Sequence, residues 1–132
     1  MAEHLAELNK GIGKNVRCNY ASLLAHRAVG NATEYTLSDS IQNYDIILIR
    51  VSHSSVGVLQ NTIITIPQLI SIAANNTNFF AGRQQCADSI YSDYQCGFTA
   101  NNKFKVGYLV NSNPSYPLYM AIIGINLWLN NN

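Results

Sequence analysis

Seven carboxylates are the first residues to weigh for chemistry: Glu3, Glu7, Glu34, Asp39, Asp45, Asp88 and Asp93. A glycan-cleaving site needs two of them facing each other across a sugar, one as acid and one as base or nucleophile. Asp88 and Asp93 lie close together in a polar stretch beside Tyr91 and Tyr94, and form the one candidate pair. Asp39 and Asp45 fall in a turn and at a strand end, where carboxylates bond backbone amides. His4, His26 and His53 are remote from one another and show no metal-site spacing. His53 reads as a loop or interface residue, with a ligand on a symmetry axis as the alternative. The sequence contains no GxSxG elbow, HExxH pair or Gly-rich phosphate loop. Cys18, Cys86 and Cys96 make an odd count, which argues against a complete disulfide framework. Their spacing fits no zinc motif. Cys86 and Cys96 could lie on neighbouring strands, but the reading adopted for all three is buried free thiols. The expectation is a protein that is not an enzyme and takes no metal or cofactor.

Binding chemistry has better material. Aromatic rings stack on sugar faces and side-chain amides bond sugar hydroxyls, so a loop mixing both is where a binding site is expected. Two stretches mix them, Arg83 to Tyr94 and Asn111 to Tyr119. They supply Arg83, Gln84, Tyr91, Asp93, Tyr94, Asn113 and Tyr116 as candidate contacts. The competing reading is that tyrosines near strand ends pack their rings in the core and send only the hydroxyl to water.

The elements that must position these residues are strands. Tyr35 to Leu37 reads as a short strand, and Ser38 to Asn43 as a polar turn that reverses the chain. Tyr44 to about Val51 is a long strand with apolar residues on both faces, so it needs cover on two sides. His53 to Gly57 is loop by composition, Thr62 to Ile66 a strand closed by Pro67, and Phe79 to Ala100 one or two strands. Asn101-Asn102 is a hairpin signal, because Asn tolerates the positive φ of tight turns. In the strand that follows, Phe104, Val106, Tyr108 and Val110 alternate against Lys103, Lys105, Gly107 and Leu109. Asn111 to Pro117 is a loop, and Tyr119 to Leu129 a closing strand, apolar on both faces. Asn15 to Ala28 fits either a short helix or a first strand. Ala2 to Lys10 is a short helical segment, with Leu5, Leu8 and Ile12 at coiled-coil spacing. The pattern is all-β: an antiparallel β-sandwich, jelly-roll-like, with a short N-terminal helical segment. Residues 1–30 are expected to form an N-terminal segment, a possible shaft remnant, and residues 31–132 the sandwich head.

Only 11% of the 132 residues are charged and the net charge is +1, which leaves no footprint for nucleic acid. Met1 to Lys10 lacks a signal-peptide core, and no run approaches the roughly eighteen apolar residues of a membrane span. The expectation is a soluble protein made in a cytoplasm, with no membrane insertion. Asn31-Ala32-Thr33 and Asn75-Asn76-Thr77 match the glycosylation pattern by chance on this reading.

Three segments carry a resemblance: TLSDSIQNYDIILI (Thr36 to Ile49), ITIP (Ile64 to Pro67) and IIGINLW (Ile122 to Trp128). With them, Tyr35 to Trp128 resembles the C-terminal head or tip domains of bacteriophage tail fibres and related receptor-binding proteins. The resemblance implies a homotrimeric β-sandwich at the fibre tip of a virion, made in the bacterial host cytoplasm. Its exposed loops would contact a bacterial surface glycan or an outer-membrane protein. Two further readings stay open: a virion domain that trimerises a fibre and binds nothing, and a free-standing lectin-like module.

Overall fold

The computed structural model describes residues 16–53, 61–68 and 78–129. The expected helical segment Ala2 to Lys10 lies outside them. Among the described residues eight strands run in chain order: β1 (Val16–Ala28), β2 (Thr33–Thr36), β3 (Ile46–His53), β4 (Asn61–Thr65), β5 (Asn78–Ala87), β6 (Ile90–Ala100), β7 (Lys103–Asn111) and β8 (Leu118–Leu129). They form two four-stranded antiparallel sheets packed as a sandwich, ordered β1-β8-β3-β4 and β2-β7-β6-β5. The only helical piece among the described residues is one 3₁₀ turn, Ile41–Asn43. The stretch open to either helix or strand is strand β1, because its partner β8 runs beside it from Val16↔Leu129 to Ala28↔Tyr119.

The core lies between the sheets. Ile47, Ile49 and Val51 of β3 and Met120 and Ile122 of β8 meet Phe98 and Cys96 of β6 and Phe104 and Val106 of β7, all of them at most 1% exposed. Burying such side chains is worth about 1.5–3 kcal/mol each, the dominant favourable term here. On the opposite face of β3, Ile46 and Leu48 are half-buried and Arg50 is exposed, so within one chain the cover is one-sided.

The turn after β2 is not the hairpin reversal its polar residues predict. β2 and β3 belong to different sheets, so Ser38 to Asp45 is a corner between layers. Ser38 reaches back to β1, its N–H donating to Leu23 O at 3.0 Å and its hydroxyl to Ser22 O at 2.8 Å. Asp39 accepts from the Ser40 N–H, the Asn43 amide and the Tyr44 hydroxyl at 2.7–2.9 Å. These bonds, the tyrosine's foremost, hold its carboxyl below the usual range. Tyr44 is thereby laid over Gly124 of β8, where an added Cβ would stand 2.6 Å from the ring.

Asn101-Asn102 does turn the chain between β6 and β7, but without positive φ; the single non-glycine residue with positive φ among those described is Ala32, at 52°. The register steps from Phe98↔Phe104 to Ala100↔Lys103, so a bulge in β6 replaces the special turn conformation. A second bulge matters more. Cys96 pairs with Val106 but Gln95 with Tyr108, leaving Gly107 as the extra residue. Alternation therefore reverses along β7: Phe104 and Val106 point into the core, whereas Tyr108 and Val110 point outward, 46% and 45% exposed.

Antiparallel pairing sorts the connections by end. Val16 and Leu129 are paired at one end of the sandwich, with the β2–β3 and β6–β7 turns. The links β1–β2, β5–β6 and β7–β8 gather at the other. This distal end carries both stretches that mix aromatic and amide residues.

Candidate functional site

Strands β5, β6 and β7 present their outer face beside the distal loops. Arg83 on β5 is paired in register with Asp93 on β6. Its guanidinium donates twice to that carboxylate, Nε to Oδ1 at 2.6 Å and Nη2 to Oδ2 at 2.9 Å. The same guanidinium lies 4.1 Å from the Tyr91 ring centroid. The ion pair holds the Asp93 carboxyl below its usual range and raises Arg83 above its own. Solvent screens an exposed pair of this kind, so its role is to fix geometry rather than to stabilise the fold. Further in on the same face, Val110 pairs with Asp93, and Tyr108 with the exposed Gln95. Gln85 faces the same way, its amide bonded to Ala87 O and Asp88 O in the β5–β6 turn.

The neighbouring β7–β8 loop is tied to this face. Ser112 N–H donates to Tyr91 O, Tyr91 N–H donates to Ser112 Oγ, and Ser112 Oγ donates to Ser89 O, each at 2.8 Å. Asn113 spends its side-chain oxygen on the Ser115 N–H and its carbonyl on the Tyr116 N–H, shaping its own loop. Tyr116 is half-buried there.

The expected contacts therefore divide. Arg83, Tyr91 and Asp93 come together on one accessible face, and Asn113 and Tyr116 lie on the adjoining loop. Gln84 and Tyr94 do not belong to a surface site: they take the inward positions of β5 and β6 and are 0% and 3% exposed. Strand alternation dictates this, since each sits one residue from an outward neighbour. The Tyr94 ring packs on Gly82, where an added Cβ would come 2.5 Å from its hydroxyl, and burial pushes that hydroxyl up to about 12. Tyr108 and Val110 were missed as candidates because unbroken alternation through Gly107 sets them on the same side as Phe104 and Val106, and Gln95 because it lies one residue beyond the stretch Arg83 to Tyr94. A glycine amid regular strand residues was the available signal for a bulge.

The inward positions beneath this face form a buried polar cluster. His53 is the last residue of β3 rather than part of a loop, and it is 1% exposed. Its Nε2 lies 2.9 Å from Ser92 Oγ, joining the two sheets. Ser92 Oγ also lies 2.5 Å from Asn111 Oδ1. A hydroxyl has one proton, so Ser92 Oγ donates to one of Asn111 Oδ1 and His53 Nε2, and the tautomer of the ring sets the direction of the bond to His53. A nucleophilic serine must also meet its substrate, and Ser92 is 0% exposed. His53 Nδ1 and both amide atoms of Gln84 have no hydrogen-bond partner among the described residues.

Asp88 lies on the exposed β5–β6 turn, and the carboxylate of Asp93 is committed to Arg83. A general acid needs a raised pKa, and that of Asp93 is lowered. All three cysteines are free: Cys96 is buried, Cys86 half-buried, and Cys18 exposed, contrary to expectation. Cys86 and Cys96 are out of register, Cys96 pairing with Phe80. Among the described residues no group of three or more His, Cys, Asp or Glu could hold a metal, and no helix is long and apolar enough to cross a membrane. Neither a protein-family model nor a curated protein matches the chain.

Proposed function

We propose that this chain is the receptor-binding tip domain of a phage or prophage tail fibre, acting without catalysis as a homotrimer in the virion. The observation that carries the reading is the outer face of β5–β6–β7, where Tyr91, Tyr108 and Gln95 flank the Arg83–Asp93 pair at the distal end. Aromatic rings beside amides suit a sugar, and the internal ion pair leaves the patch without net charge to repel a neutral glycan. A shaft preceding β1 would approach from the opposite end, leaving this face and its loops outermost. The jelly-roll-like reading is supported by the β1–β2 and β7–β8 crossings, which set first beside last strand in one sheet and second beside seventh in the other. The β5–β6–β7 meander and the β3–β4 pair are simpler connections.

The partner is a bacterial surface glycan or outer-membrane protein, engaged by three weak sites whose effective concentration supplies the affinity one lacks. The complete burial of Ser92 and the engagement of Asp93 by Arg83 favour binding over hydrolysis. The purely structural fibre domain is favoured by one observation, the apolar outer face of the other sheet.

The test is adsorption of the fluorescently labelled protein to a panel of bacteria after periodate or protease treatment. Loss after periodate, which cleaves sugar diols, identifies a glycan; loss after protease identifies an outer-membrane protein. No adsorption to any strain would favour the structural domain.

A further inference from the structure

We infer that the interior at the distal end of the sandwich encloses a water-binding site, in which one or two water molecules bridge His53 of β3 to Gln84 of β5. Both side chains are shut off from bulk solvent, at 1% and 0% exposed. His53 Nδ1, Gln84 Oε1 and Gln84 Nε2 nevertheless find no hydrogen-bond partner among the described residues. A buried polar group left unpaired forfeits the bonds it made in water, so native interiors seldom keep even one. Register gathers these atoms in one place. Gln84 stands directly across from Ser92 in the β5–β6 pairing, and Ser92 Oγ lies 2.9 Å from His53 Nε2. The strands β3 and β5, in opposite sheets, bring Cα atoms within 8 Å of each other, closer than the usual spacing of about 10 Å between packed sheets. Two hydrogen bonds of about 2.8 Å each let one water join atoms about 5 Å apart. Ser92 is the smallest of the inward side chains of β6, the others being Tyr94, Cys96 and Phe98, so side-chain volume is least at this level of the strand.

The chemistry of the three atoms selects the occupant. Gln84 Oε1 needs a donor and Gln84 Nε2 an acceptor, while His53 Nδ1 needs one or the other according to the ring's tautomer. Water supplies both in one molecule and turns to suit either tautomer. A cation would have to shed its hydration shell for neutral ligands, since His53, Gln84, Ser92 and the adjoining Asn111 carry no negative charge. An apolar molecule would leave all three atoms unpaired. The bridge also has a consequence for the sheet that carries the surface site. Among the described strands β5 is hydrogen-bonded to β6 alone, and the water ties its inner side to β3 at the residue next to Arg83.

The experiment pairs a high-resolution crystal structure of the wild-type chain with thermal melts of wild type and Gln84→Met at pH 8, where the His53 ring is neutral whether the chain is folded or not. Methionine keeps the length of the side chain and removes both amide atoms. The inference predicts a water peak within about 3.2 Å of His53 Nδ1 and of a Gln84 amide atom. It also predicts a melting midpoint about 3 °C or more below wild type, because the variant strips the water of partners and leaves Nδ1 unpaired. A dry site predicts the opposite sign: replacing an orphaned amide with an apolar side chain raises the midpoint, and that result overturns the inference. Density showing Gln84 bonded directly to His53 with no water between them overturns it as well. A peak about 2.0–2.4 Å from its ligands marks a metal ion and does the same. Should Gln84→Met fail to fold, the wild-type density alone decides.

Discussion

His53 Nε2 and Ser92 Oγ, 2.9 Å apart, join β3 to β6 through the interior of the sandwich, directly beneath the Arg83–Asp93 pair. Ser92 stands between Tyr91 and Asp93 in the chain, and Gln84 between Arg83 and Gln85. The surface site and the buried polar cluster are thus two faces of the same short stretch of sheet.

This arrangement makes stability pH-dependent. Burial lowers the pKa of His53 from its ordinary 6.5, and its described partners, Ser92 and Leu118, offer no counter-charge. The folded protein keeps the ring neutral, while the unfolded chain takes up a proton below about 6.5. Stability therefore falls as pH drops through that value, by up to about 1.4 kcal/mol per pH unit, and levels off once the folded ring protonates. Asp39 and Asp93, whose pKa values are lowered from 3.8, act in a separate, more acidic window. Thermal melts from pH 7.5 to 5.0 should show a falling midpoint, flattened in His53→Gln. A flat wild-type profile would refute the assignment.

Tyr44 and Gly124 give a packing prediction. Because an alanine Cβ would stand 2.6 Å from the Tyr44 ring, Gly124→Ala should cost about 1–3 kcal/mol through overpacking. In a Tyr44→Ala background the same change should cost much less. Chemical denaturation of the four proteins of this cycle measures the coupling, and additive costs would show that the ring does not limit the space.

The thiols should separate by reactivity. Cys18 is exposed and should be alkylated fastest, Cys86 more slowly. Cys96 is 0% exposed, with its thiol pushed up to about 12 by burial, and should react only on unfolding. Mass spectrometry of timed iodoacetamide reactions checks the order; early labelling of Cys96 would contradict the packing described.

Much of the sandwich was legible from sequence, because apolar alternation marks strands directly. The closing strand and the strand ending at Pro67 were found within two residues of their bounds. What local pattern does not encode is the sheet to which a strand belongs. The corner at Ser38 to Asp45 therefore looked like a reversal, and only contacts with Ser22 and Leu23 of β1 define it. The site was half legible for a related reason. Composition picked two stretches that meet at one end of the sandwich, but the side on which each residue falls depends on strand phase. Gln84 and Tyr94 were lost inward by ordinary alternation, and Tyr108 was gained outward by the bulge at Gly107.

The most direct test of the account compares adsorption of wild type, Tyr108→Ala and Arg83→Ala to a bacterial strain that wild type binds. Tyr108 is 46% exposed and the Arg83–Asp93 pair lies at the surface, so each variant should fold and melt close to wild type. The account predicts at least a tenfold loss of adsorption for both, with oligomeric mass unchanged. Wild-type adsorption by two folded variants would contradict it and remove the β5–β6–β7 face from receptor binding.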